Sequence, residues 1–118
     1  MLAPLPAMTG QTNNMNDTTA EHVYIVLLAY KKPLAEIDKY GKEHVAFLDK
    51  YFAAGKFIVS GRQNPRTGGV IIAHKVTRKE LGEILEEDPF LQHGRADYNI
   101  TELIPVKYQE AFKTFITE

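Results

Sequence analysis

Of the four histidines in this 118-residue sequence, His44 stands in the middle of an apolar stripe. Leu34, Ile37, Gly41, His44, Leu48 and Tyr51 recur at alternating steps of three and four, a spacing that puts them on one side of an α-helix. An unperturbed imidazole titrates near neutrality, so a histidine there can act as a general base. It can equally be a core histidine whose nitrogens bond to backbone or buried water. Asp88 precedes Pro89 and suits a helix N-cap, accepting from the backbone of the next turn. If it also meets His44 in space, its carboxylate fixes the imidazole tautomer and stabilises the imidazolium. Ser60 and Gly61 end an apolar run, and Arg62 follows them. Ser60 can donate a hydrogen bond to a ligand, and Arg62 and Arg66 can hold an anionic group. The plainer readings are turn chemistry for the serine and solvation for the arginines.

Several chemistries are excluded. There is no cysteine, hence no disulfide framework, thiolate metal site or cysteine nucleophile. His22, His74 and His93 share no metal-ligand spacing with one another or with His44, and the expectation is no metal and no cofactor. Gly68-Gly69 permits a close backbone approach or a bulge, but the Gly-Lys-Ser/Thr ending of a phosphate loop is missing. A formal charge of −1 draws the chain to neither nucleic acid nor an anionic membrane. No apolar run approaches the ~20 residues of a membrane span. The absence of cysteine suits a cytoplasmic location.

These residues need elements to position them. Residues 1–20, rich in Asn, Thr, Met and Pro, show no helical or strand period and read as a disordered or loosely packed tail without a secretory signal. Residues 21–118 read as one domain. Residues 22–30 form a strand apolar on both alternating faces. Pro33 opens and Gly55 caps a single helix that carries His44. Residues 56–61 and 69–75 pair as strands across the turn 62–68. Thr77 to Glu80 spells a capping box that opens a second helix, with Leu81, Ile84 and Leu85 inward. Asp88-Pro89-Phe90 starts a short helical turn that Gly94 can end, residues 97–106 make a fourth strand, and residues 109–118 allow a last helical turn. The order β-α-β-β-α-β is the ferredoxin-like α+β arrangement, a four-stranded antiparallel sheet with both helices on one face. The third strand lacks the aromatics that an RNA-binding sheet uses. The bare sheet face is apolar, so two chains are expected to bury it against each other as a homodimer.

Together these residues resemble the YCII-related (YciI-like) family. The likeness covers residues 23–106 and rests on Glu43-His44 with Phe47-Leu48, Gly55-Lys56-Phe57, Ser60-Gly61, Gly69 to Ala73, and Asp88-Pro89-Phe90 followed by Gly94. The resemblance implies a dimeric α+β barrel of ferredoxin-like subunits. It also implies a pocket with a His–Asp pair at His44 and Asp88, lined by Ser60. A few relatives are dehydrochlorinases of chlorinated hydroxyhydroquinones; most have no assigned reaction. Many relatives carry an arginine where this chain has Gly41, and a proline where it has Arg62, and both positions belong to the rim of the implied pocket.

Two functions follow. One is a cofactor-independent enzyme acting on a small molecule by proton abstraction, with elimination or isomerisation. His44 is then its acid/base, Asp88 the orienter, and Ser60, Gly61 and Arg62 the substrate contacts. The other is a non-catalytic dimeric module that binds a small metabolite or serves as an accessory.

Overall fold

Tyr24, Val26, Leu28 and Tyr30 alternate along the first strand and turn inward as a set, and the sheet is built around them. The computed structural model describes residues 22–117, so the expected tail at residues 1–20 lies outside the described residues. The elements are β1 (Val23–Tyr30), α1 (Leu34–Asp38), α2 (Gly41–Ala53), β2 (Phe57–Arg62), β3 (Gly68–His74), α3 (Arg78–Leu85), α4 (Pro89–Gln92) and β4 (Ala96–Leu103), with a 3₁₀ segment, Glu110–Phe115, at the end. The four strands pair antiparallel in the order β2-β3-β1-β4. In register, Val26 lies between Ile71 and Ile100, all on the helix-covered face. Ile37, Phe47, Leu81, Ile84, Leu85 and Phe90 close over that face. This is the ferredoxin-like α+β fold expected from the element order.

The single helix expected between Pro33 and Gly55 is two helices. Lys39 and Tyr40 form a turn between them, with Tyr40 at φ −111° and ψ 10° outside the helical region. Gly41 weakens a continuous helix here by about 1 kcal/mol relative to Ala. Contacts from the α4–β4 connection hold the bend. The Arg95 Nη2 donates to Glu36 at 2.9 Å, His93 stacks on the Tyr40 ring at 4.2 Å, and the Arg95 guanidinium lies 4.9 Å from that ring's centre. Ile37 and Phe47 are buried on either side of the bend, whereas Leu34, expected inward, is 41% exposed at the outer end of α1.

Local chemistry explains the other ends. The Thr77 hydroxyl accepts from the Glu80 amide at 3.0 Å and starts α3. Gly55 and Gly94 follow their helices at positive φ, where a side chain is strained. Gly68 makes the close approach. A Cβ there would sit 1.8 Å from the Leu28 carbonyl oxygen, so only glycine lets β3 lie beside β1 at that point. The one irregularity of the β2–β3 ladder falls between Phe57 and Val59.

The sheet's second face is partly covered by the chain itself. His74 lies there opposite Val23, and both are buried. The His74 Nδ1 donates to the Phe115 carbonyl at 2.7 Å, and the Phe115 ring meets the imidazole edge-on. The rest of this face is more open, with Leu27 at 40% and Val59 at 49% exposure. Among the described residues no helix is long and apolar enough to cross a membrane.

Candidate active site

The side chain of His44 leaves α2 one turn after Gly41 and points toward α4. Its Nδ1 lies 2.9 Å from Asp88 Oδ1. Asp88 is the N-cap of α4, and the same Oδ1 accepts the Phe90 amide at 3.0 Å. The two readings of Asp88 therefore coexist on one oxygen. Asp88 is fully buried, and its Oδ2 has no hydrogen-bond partner among the described residues. An ionised carboxylate can only accept, so Nδ1 carries the shared proton and the neutral ring keeps its lone pair on Nε2.

Packing fixes the ring plane. Phe90 stacks on the imidazole at 4.1 Å with 15° between the planes, and Phe47 lies at 6.2 Å on the core side. Tyr30 meets Phe90 edge-on at 6.2 Å. The Pro89 ring sits in the first turn of α4, where its missing N–H costs nothing. A burying environment, an oriented tautomer and a fixed plane thus meet at one histidine, whose side chain is still 15% exposed.

That exposure opens on a cleft of about 240 Å³ between α2 and the β2–β3 hairpin. His44, Ser60, Gly61 and Arg62 all line it, as the sequence reading grouped them, while Asp88 lies behind His44 and off the wall. Ser60 pairs with Ile71 on the helix-covered face, which carries its side chain to the same side of the sheet as His44. Gly41 also lines the cleft, and a Cβ there would meet nothing within 4 Å. Arg66, named with Arg62 as able to hold an anionic group, lines the cleft too, as do Tyr30 and Phe90, which the sequence did not point to. Aromatic residues in a strand and after Asp-Pro read as core.

Arg66 donates from Nη2 to Asp38 at 2.7 Å. That carboxylate, helped by the Tyr30 hydroxyl, holds the guanidinium above its ordinary value against the opposing effect of burial. No ion pair engages Arg62 among the described residues. No three His, Cys, Asp or Glu side chains among the described residues gather as metal ligands would.

A four-stranded antiparallel sheet with its helices on one face defines a ferredoxin-like α+β domain, and a His–Asp contact sits at its helix–sheet boundary. The model of the YCII-related domain matches residues 23–104, and the chain belongs to that family. Among solved structures it is similar to the 5-chloro-2-hydroxyhydroquinone dehydrochlorinase of Burkholderia phenoliruptrix in complex with 2,5-dihydroxybenzoquinone. The TM-score is 0.54 at 21% identity, over 75% of this chain and 97% of the other. No curated protein matches the sequence.

Proposed function

We propose that the protein is a small-molecule enzyme that abstracts a proton with His44 and needs no cofactor to do so. The observation that carries this reading is the 2.9 Å contact of Asp88 Oδ1 with the His44 Nδ1, which leaves Nε2 as the base beside the cleft. The substrate is a single-ring molecule, in keeping with the cleft's size. A hydroxyl or acidic C–H proton passes to Nε2, and the buried carboxylate stabilises the imidazolium that forms. The electron pair left behind enters the ring. It expels a leaving group such as chloride in an elimination, or takes a proton back at another carbon in an isomerisation. Neither outcome changes the net oxidation balance, so no external oxidant enters. Ser60 and the Gly61 backbone contact the substrate, and Arg62 offsets its developing negative charge.

The dehydrochlorinase named above motivates the first assay, chloride release from a chlorinated hydroxyhydroquinone. Deuterium uptake from D₂O by related phenols and lactones tests the isomerisation branch. Substituting His44→Ala should lower the rate by ~10²–10⁴-fold. An unchanged rate removes His44 from the chemistry. Retained ligand affinity in His44→Gln without any detectable reaction in the parent protein favours a binding module instead.

We further propose that the working unit is a homodimer joined through the open sheet face, where Leu27 and Val59 remain exposed. Light scattering at micromolar concentration should return twice the chain mass, and Leu27→Lys should halve it.

A further inference from the structure

The cleft is mostly apolar, yet two arginines line it and, among its described lining residues, there is no carboxylate. Both cations come from the ends of one hairpin, Arg62 from the last position of β2 and Arg66 from the turn before β3. Their free capacity differs in kind. Arg62 has no ion pair among the described residues. Arg66 is tied to Asp38 through Nη2, with the Tyr30 hydroxyl also beside the guanidinium, and its Nε is buried with no hydrogen-bond partner among the described residues. Asp38 is itself 60% exposed, so the screened pair neutralises Arg66 only in part. Across the cleft Gly41 leaves space on the α2 wall.

Arg62 is exposed and Arg66 is partly buried, and two cations lining an otherwise apolar cleft with no carboxylate on its wall attract an anion. The guanidinium fork matches a carboxylate, whose two oxygens accept parallel N–H bonds. A phenolate offers a single oxygen and cannot use both groups equally.

We propose that Arg62 and Arg66 form a carboxylate clamp, so that the substrate is a small ring bearing a carboxylate as well as the group that His44 deprotonates. The clamp holds the acid at the hairpin end of the cleft, and the ring spans to His44. The space over Gly41 admits a ring substituent. This rests on the reading of His44 as base only for what the substrate undergoes, because the clamp binds whether or not a reaction follows.

The test is calorimetric titration with matched acid and amide pairs, benzoate with benzamide and 2,5-dihydroxybenzoate with its amide. In the parent protein the acids should bind at least about tenfold tighter than the amides, the scale of one charge-assisted hydrogen bond. The preference should shrink as salt is added. Arg62→Gln should cut it, and Arg62→Gln with Arg66→Gln should abolish it, with circular dichroism confirming the fold. Asp38→Asn releases Arg66 without removing it and should strengthen acid binding. His44→Gln should leave the preference intact, so a dead reaction and a dead clamp are told apart. Equal affinity for acid and amide overturns the clamp. So does a preference that survives the double substitution, or a failure of both acids to bind at millimolar concentration.

Discussion

Two histidines sit on opposite faces of the same sheet, and both offer Nδ1 to an oxygen. His44 meets a buried carboxylate at 2.9 Å and His74 meets the Phe115 backbone carbonyl at 2.7 Å. Each has an aromatic neighbour, Phe90 stacked on one and Phe115 edge-on to the other. The difference lies in the partner's charge and in what the rest of the ring reaches. A carboxylate accepts with a formal charge, whereas a backbone carbonyl accepts with a dipole alone. His44 opens on a cleft, and His74 pins the C-terminal segment over the sheet end. Burial and a bonded Nδ1 are thus common to both; a carboxylate partner and access to a cleft belong to His44 alone of the two.

The comparison breaks first at His44. His44→Ala should cost ~10²–10⁴-fold in turnover, and His74→Ala should leave turnover at the parent level. If both fall alike, the contrast between them is wrong. Asp88→Asn tests the partner's charge. The amide can donate as well as accept, so the ring loses its enforced tautomer, and turnover should fall by ~10²-fold or more. Nitrogen NMR of the neutral ring should show the proton on Nδ1 in the parent and a mixture in the variant. Next comes stability. His74→Ala leaves the Phe115 carbonyl without its donor and should cost about 1–3 kcal/mol by urea denaturation, with the C-terminal segment loosened. If stability is unchanged, His74 is not a strap.

The smallest effect lies away from both histidines. Glu87 takes hydrogen bonds from Lys50 and Tyr51, which hold its carboxyl below the ordinary value. A depressed carboxyl stabilises the fold above its unfolded pKa and stops doing so as pH falls through the folded one. Glu87→Gln should thus lose at most about 1 kcal/mol at neutral pH, the worth of a solvent-screened pair. The difference should vanish in acid; a difference that persists there assigns the loss to packing.

The four strands and their order along the chain were legible because period-two and period-three-four patterns are local, but which face of β1 turns inward was not, since both of its alternating sets are apolar. The caps at Thr77 and Asp88 were legible too, since a cap needs only its own turn. The bend at Tyr40 was not. The apolar spacing runs across it unbroken, and what holds it are Glu36, His93 and Arg95, the last two far along the chain. Phe47 was hidden for a similar reason: it lies beside His44 and Leu48 on a face already filled by better-spaced residues. The residues of the candidate site were visible one by one. Their meeting was implied by the family resemblance and not by spacing, because the contact of His44 with Asp88 spans 44 positions and depends on where α4 lands. The fourth strand was drawn to Val106 and ends at Leu103, since Ile104 and Val106 continue the alternation while Pro105 cannot continue the ladder.

One oxygen of Asp88 serves both the Phe90 amide and the imidazole. That sharing makes the Phe90 amide an internal meter. Protonating the imidazole, or seating an anion against it, redistributes electron density on Oδ1. The amide proton bonded there must register the change in its chemical shift and in its rate of exchange with solvent. The charge state of the imidazole can then be read from a backbone signal two hydrogen bonds away, with no label on any ligand.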